Sequence, residues 1–256
     1  MANALIGHTG FVGGNLTEQT PFEHLYNSKT IDEIAGREFD TIVCCGAPAE
    51  KWKANVDPAA DLANIQRLLG CVERARARRF VLVSTVDVYA TPLGVDENSP
   101  VGVERQSPYG RHRYELELAI QARFDALVVR LPGLFGKGLK KNAIYDLLHD
   151  HRVEHIHRAS VYQFYDVAVL WRDIEKALAH GLRVVNIATE PVTMSDVAGA
   201  AFGRDLSETP HGEPARYDMR SRFDRFFSGS SGYLYDRVWV LTRLARYVEA
   251  ERGRIR

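Results

Sequence analysis

The sequence predicts an α/β protein with a Rossmann-like, doubly wound parallel sheet and a small additional C-terminal region. Three observations predict it. Short aliphatic runs alternate with helical patterns, the first run ends in spaced glycines, and 256 residues suit one large domain or one and a half. Alternation of this kind requires crossover connections, which cover both faces of a parallel sheet.

Taken in order, the apolar run at residues 4–6 ends in Gly7-His-Thr-Gly10-Phe-Val-Gly13-Gly14, after which the pattern can turn helical. A strand that stops in glycines and opens a helix lets the backbone approach a pyrophosphate, with the helix N-terminus facing the charge. The spacing is GxxGxxG, not GxGxxG. Further strand candidates lie at 24–26, 41–45, 80–83 and 126–129, each short, rich in aliphatic residues and bounded by turn or polar signals. Apolar residues at three- and four-residue spacings predict helices over 61–78 and 109–124. The first of these ends in ERARARR, read as a solvated helix terminus whose cations favour the C-terminal dipole. A polar stretch at 205–224, with Pro210, Gly212 and Pro214, predicts a long loop. Gly229-Ser-Ser-Gly232 predicts a turn before a final amphipathic helix near 238–250.

Thirty-three Lys+Arg balance 33 Asp+Glu, giving a net charge of +0. Such a chain has no electrostatic reason to hold a nucleic acid or an anionic membrane, so small molecules or a second copy are the expected partners. The 3 cysteines, with Cys44 and Cys45 adjacent, form neither a disulfide framework nor a metal-ligand spacing. With no signal-peptide pattern at the N-terminus and no apolar run near the ~20 residues of a membrane helix, the expected location is cytoplasmic. His149, His151, His155 and His157 lack a compact ligand pair such as HExxH, so no metal site is expected.

Two further segments narrow the reading. Ser84-Thr-Val-Asp-Val-Tyr89 follows the strand ending at Val83, and Ser107-Pro-Tyr-Gly-Arg-His-Arg113 opens the next long helix. With the N-terminal glycines they resemble the extended short-chain dehydrogenase/reductase family of sugar-nucleotide epimerases, dehydratases and reductases. Arg130-Leu-Pro-Gly-Leu-Phe-Gly136, Gln163-Phe-Tyr-Asp166 with Asp173, and Val185-Asn-Ile-Ala188 before Glu190-Pro191 continue the resemblance over roughly residues 4–200.

The resemblance implies Tyr109 as acid/base, Thr85 steadying the substrate oxygen, and Arg113 supporting the phenolate and holding the cofactor ribose. A cation four residues after a Tyr shares its helical face and is expected to lower the phenol pKa toward working pH. Arg113 stands where the family usually has Lys, and His112 where Ser is common. The guanidinium keeps the charge but directs its hydrogen bonds differently. Asp87 is read as a general base or a holder of a sugar hydroxyl, and equally as an acceptor for local backbone N–H groups. Family dehydratases carry acids at the positions of both Val86 and Asp87.

The cofactor residues implied are Gly7, Thr9, Gly10, Phe11, Val12 and Gly13 at the first turn and Gly46, Ala47 and Pro48 after the third strand. Ser84, Tyr109 and Arg113 complete the core, with Pro132 and Gly133 near the nicotinamide. After Tyr26 come Asn27, Ser28 and Lys29, with no acid until Asp32, which favours NADP over NAD. Lys140, Lys141, Asn142, Gln163 and Asp87 are the substrate-binding candidates. The expected organisation is a dinucleotide-binding core over 1–136, with 161–190 partly returning to it, and a substrate region from 137–160 and 191–256. A homodimer through helices 61–78 and 109–124 is implied. The function expected is an NAD(P)-dependent oxidoreductase or epimerase acting on a nucleotide sugar or related hydroxylated small molecule. The alternatives are a non-catalytic dinucleotide-binding sensor or assembly protein on the same fold, and a dehydratase using Asp87.

Overall fold

In the computed structural model, which describes residues 2–206, 210 and 212–255, the chain divides into two units that interleave along the sequence. Residues 1–91, 97–131 and 169–186 make up the first, and 92–96, 132–168 and 187–256 the second. The first unit opens with β1 (Asn3–Ile6), α1 (Phe11–Thr17), β2 (His24–Tyr26), β3 (Glu38–Cys44), α2 (Lys51–Val56), α3 (Pro58–Val72) and β4 (Arg76–Thr85). After β5 (Leu93–Val95), which belongs to the second unit, the chain returns for α4 (Pro108–Arg123) and β6 (Ala126–Leu131). The second unit then adds β7 (Gly133–Phe135), α5 (Ala143–His149), β8 (Val161–Tyr162) and β9 (Phe164–Asp166) before α6 (Leu170–Ala179) and β10 (Val184–Asn186) complete the first. The remainder, β11 (Val192–Thr193), α7 (Met194–Phe202), β12 (Asp218–Met219) and α8 (Arg237–Ile255), lies in the second unit.

The first unit is built on a six-stranded sheet of order β10-β6-β4-β3-β1-β2, parallel throughout. Its strands read as near-continuous apolar runs because helices bury both faces. On one face Ile6, Ile42, Cys44, Phe80, Leu82 and Val128 form one core with Ile65, Leu68 and Val72 of α3 and Leu116 and Ile120 of α4. The alternate residues Leu5, Val43, Val81 and Val129 point the other way and are fully buried, as are Leu16 of α1 and Leu170 and Ile174 of α6. Strand order reverses at β1, with β2 on one side and β3 on the other. In sheets of this class a ligand crevice lies at the carboxyl ends beside such a reversal.

The tail of basic residues is not a helix terminus. Helix α3 begins at Pro58, where the Asp57 side chain accepts a hydrogen bond from the Ala60 N–H, and it stops at Val72. From Arg76 the chain is already β4, because the charges alternate. Arg76 pairs with Glu38 at 2.8 Å and Arg78 with Asp40 at 2.5 Å on β3, while Ala77 and Arg79 turn to the half-buried side. The shortened connection between β2 and β3 holds a single 3-10 turn at Ile31–Ile34. Of the expected loop at 205–224, residues 207–209 and 211 lie outside the described residues, and β12 interrupts the rest by pairing parallel with β5.

The second unit has its own core, in which Phe135, Ile144, Leu147 and Phe164 meet Met194, Val197 and Phe202 of α7 and Val240, Leu244 and Val248 of α8. Thr193 and Asp196 start α7 with a reciprocal capping box. Of residues 161–190, expected to return in part to the sheet core, 169–186 belong to the first unit and 161–168 to this one. There β8 pairs with β11 and β9 with β7. Among the described residues no helix is long and apolar enough to cross a membrane.

Candidate functional site

The ends of β1 and β3 meet through glycine. Gly7 has φ +86, and a Cβ there would lie 2.6 Å from the Cys45 carbonyl oxygen; one at Gly13 would lie 2.2 Å from the Gly7 carbonyl oxygen. Only glycine lets the first turn of α1 close onto the strand ends. Thr9 and Gly10 remain exposed and Phe11 and Val12 half-buried at this turn. After β2, the Asn27 side chain accepts the Lys29 N–H at 2.8 Å and the Thr30 hydroxyl accepts the Asn27 N–H at 3.0 Å. The resulting tight turn leaves Ser28 and Lys29 exposed. The first acid beyond it, Asp32, is occupied elsewhere, accepting from Cys71 and pairing with Arg67 at 3.2 Å.

A cluster forms where α4 begins. Ser107 caps the helix through the Gly110 N–H, and Pro108 pre-sets its first turn. Gly110 is pressed onto the 3-10 turn that follows β4: a Cβ there would lie 2.0 Å from the Asp87 carbonyl oxygen. This approach brings Tyr109 beside Thr85 and Asp87. The Thr85 hydroxyl accepts from the Asp87 N–H at 3.2 Å and lies near enough to the phenol to favour its ionised form, and the Asn55 side chain accepts the Tyr109 N–H. Asp87 forms an ion pair with Lys51 at 2.8 Å. Thr85, Asp87 and Tyr109, read separately from the sequence, are thus neighbours.

The phenol departs from expectation. Tyr109 is 8% exposed, and burial pushes its pKa above the usual phenol value, with Asp87 adding to the rise. Arg113, Thr85 and Lys51 oppose the shift without reversing it. Arg113 does lie on the ring, its guanidinium carbon 3.9 Å from the centroid, but its charge is met at once by Asp61. Its Nη1 donates to Asp61 Oδ2 at 2.5 Å and its Nη2 to Asp61 Oδ1 at 2.9 Å and to the Pro48 carbonyl at 2.5 Å. His112 Nδ1 lies 2.7 Å from the same carboxylate. Asp61, His112 and Arg113 are all buried. Burial raises the Asp61 pKa, but hydrogen bonds from Arg113 and His112 outweigh it and hold the carboxyl below the ordinary carboxylate range. Arg113 Nε is a buried donor without a partner.

Ser84 belongs to a second buried network instead of offering its hydroxyl to a ligand. It donates to Glu117 at 2.5 Å; Arg130 grips the same carboxylate through Nε and Nη2 and gives Nη1 to the Tyr89 hydroxyl at 2.7 Å, which Asn186 also meets. Cys44 closes β3 and Cys45 follows it. Burial raises the Cys44 thiol to about 11 and Cys45 well above its usual value.

In the second unit, Gly133 heads β7, where a Cβ would lie 2.9 Å from the Gln163 carbonyl oxygen, and Pro132 precedes it, buried. Lys140 and Lys141 are exposed. Asn142 and Gln163, expected to bind substrate, have their side chains committed to the backbone. Asn142 caps α5 through Ile144 and Tyr145 and donates to Leu134, and Gln163 donates to the carbonyls of Thr189 and Met219 and accepts the Met219 N–H. The histidines disperse: His149 lies against Tyr145, His151 against Asp146 and His155 against Glu154, and among the described residues no three potential ligands gather around a point.

Sequence reading missed Asp61, Lys51, Gly110 and the Glu117–Arg130 pair. Asp61 had a legible signal: with Ile65, Leu68 and Val72 it occupies the buried stripe of α3, where a lone acid requires a partner. Glu117 carries the same signal beside Leu116 and Ile120. Lys51 had none, since only the fold brings it to Asp87.

The family model described as NAD dependent epimerase/dehydratase matches residues 22–176. No curated protein matches the chain. Among solved structures, a dTDP-4-dehydrorhamnose reductase from Clostridium acetobutylicum is 15% identical with TM-score 0.74, covering 98% of this chain and 100% of that one. A dTDP-glucose 4,6-dehydratase double mutant from Streptomyces venezuelae, solved with NAD bound, is 19% identical with TM-score 0.74, covering 99% and 98%. A UDP-glucose 4-epimerase from Thermotoga maritima, solved with UDP-glucose, is 14% identical with TM-score 0.73, covering 100% of both chains. At these identities the structural likeness establishes the fold.

Proposed function

The chain belongs to the NAD dependent epimerase/dehydratase family, and from that premise we propose that it is an NAD(P)-dependent oxidoreductase or epimerase of a nucleotide sugar or related hydroxylated small molecule, with Tyr109 as its acid/base. The observation that carries the reading is the convergence of Thr85, Asp87, Tyr109 and Arg113 at the start of α4. The structural neighbours named for dTDP- and UDP-sugars support the substrate class.

A nicotinamide dinucleotide fits the first unit. The sheet reverses beside the glycine turn, the first acid after β2, Asp32, is engaged by Cys71 and Arg67, and the buried Nε of Arg113 is an unpartnered donor. Gly7, Thr9, Gly10, Phe11, Val12 and Gly13 would hold its diphosphate and Asn27, Ser28 and Lys29 its adenosine end. Gly46, Ala47 and Pro48 would lie beneath the adenosine, and Ser84 would take part only through its backbone. Pro132 and Gly133 remain proposed cofactor residues, and Lys140 and Lys141 proposed substrate cations, of the second unit. Lys29 and the engagement of Asp32 favour NADP over NAD. When bound, the nicotinamide accepts or supplies the hydride.

The chain's own part is proton control. A phenol keeps its proton at neutral pH, so Tyr109 can donate it to a developing alkoxide in carbonyl reduction and would take it back from the hydroxyl in the reverse, oxidative direction. Thr85 would orient that oxygen. A dehydratase reading would require the Asp87 carboxylate to leave Lys51, and nothing in the geometry favours it over reduction. The unpaired thiols of Cys44, Cys45 and Cys71 suit the cytoplasmic location proposed, and a homodimer through α3 and α4 is proposed with it. Mass spectrometry of ligand retained through purification tests the class. A nicotinamide dinucleotide, with or without a nucleotide sugar, is the expected result; a dinucleotide-free protein that binds neither NADP(H) nor NAD(H) would overturn the reading.

A further inference from the structure

We propose that Asp61 is a positioning residue for Tyr109: with His112 it locks Arg113 against the phenol, offsets its charge there, and leaves a single N–H without a partner. The proposal rests on the reading of Tyr109 as the acid/base. A guanidinium has five N–H donors. In this site the Nη atoms meet four acceptor contacts, two on Asp61, one on the Tyr109 carbonyl and one on the Pro48 carbonyl, and the Nε hydrogen alone has no partner. Lysine could not fill this place. Its three donors diverge from a point and cannot span both oxygens of a carboxylate fixed on another helix while lying against a ring.

Asp61 sits on α3 and its partners on α4, so the pair also joins two helices. Joining alone does not account for it. Buried ion pairs are commonly replaceable by apolar residues without loss of stability, and α3 and α4 already share Ile65, Leu68, Leu116 and Ile120. What apolar residues could not supply is a cation whose field on the ring is trimmed by a fixed anion. The groups facing Tyr109 are then Arg113 from α4, with Asp61 and His112 behind it, Asp87 and Thr85 from the end of β4, and Lys51 from α2. Arg113 with Asp61 and Lys51 with Asp87 form two paired sets, which leaves burial to dominate the phenol.

The test follows the tyrosine ring-carbon NMR resonance of Tyr109, assigned by its loss in Tyr109→Phe, through an alkaline titration. In Asp61→Asn the shape of the carboxylate is kept and its charge removed, so Arg113 acts on the phenol uncancelled and the titration moves to lower pH than in the wild type. In the double variant Asp61→Asn/Arg113→Gln no buried charge is left unpaired, and the titration returns to the wild-type position. A merely structural pair would change melting temperature and leave the titration of Asp61→Asn where it was, which would overturn the proposal. Should Asp61→Asn fail to fold, the double variant decides alone: titration clearly above the wild-type pH would mean that Arg113 had been acting at full charge. Neither readout requires turnover or cofactor, so a failure of the proposed function would be seen separately.

Discussion

Replacing Gly110 by alanine should damage both the stability and the site. The added Cβ would lie 2.0 Å from the Asp87 carbonyl oxygen, whereas ordinary contact begins near 3.4 Å. Both partners are backbone, so no side-chain rotation relieves the overlap, and α4 or the turn at Val86–Val88 must move by about 1.4 Å. Overpacking of this kind costs about 1–3 kcal/mol, offset by up to ~1 kcal/mol from the better helix propensity of alanine. With roughly 2–4 °C per kcal/mol for a chain of this size, Tm should fall by several degrees. Displacement of Tyr109 from Thr85 by ~1 Å should lower kcat about a hundredfold. Gly70→Ala supplies the control, because nothing lies within 4 Å of a Cβ there and the position is also helical; it should be neutral or slightly stabilising. Thermal unfolding of the two variants side by side is the assay. A Gly110→Ala protein that melts with, or above, Gly70→Ala would refute the reasoning.

Glu117→Ala should cost about 3–5 kcal/mol because it leaves the Arg130 guanidinium buried without its carboxylate; chemical denaturation checks it, and Glu117→Leu/Arg130→Met should recover most of the loss. Gln163→Ala should cost about 2–4 kcal/mol through the unsatisfied backbone groups of Thr189 and Met219, with hydrogen exchange at the Met219 amide accelerated. The folded pKa of Asp61 is depressed, so its contribution to stability is present at neutral pH and lost as pH falls below the unfolded carboxylate value of about 4. The stability gap between wild type and Asp61→Asn should therefore close in acid, and a constant gap would contradict it. Lys29→Glu should weaken NADP(H) relative to NAD(H) by about tenfold or more in fluorescence titrations; an unchanged ratio would remove Lys29 from cofactor choice.

Period and punctuation made the sheet legible. Residues 24–26 and 126–129 were strands where the apolar runs ended in polar residues, and Ser107-Pro108 marked the start of α4. Arg76–Arg79 misled because charged residues at period two look like a solvated helix end until the acids of β3 are known to lie opposite. The site was legible in its types and less so in its couplings. Tyr109 and Thr85 carry a recognisable pattern, but the burial that raises the phenol pKa, and the carboxylate from α3 that takes up Arg113, arise from packing between elements some fifty residues apart. Asn142 and Gln163 show the converse. Polar residues in a suggestive position were serving the backbone, a common use of buried amides.

The central claim is that Tyr109 moves a proton while hydride passes between a nicotinamide and a nucleotide sugar. Single-turnover nicotinamide absorbance, recorded with NADP(H) and NAD(H) against a panel of dTDP- and UDP-sugars, tests it in wild type and Tyr109→Phe. The account predicts a substrate-dependent transient in the wild type and a loss of at least about a hundredfold in the variant, with dinucleotide affinity retained. A wild-type protein that binds dinucleotide but shows no transient with any sugar, or a phenylalanine variant as fast as wild type, would contradict it.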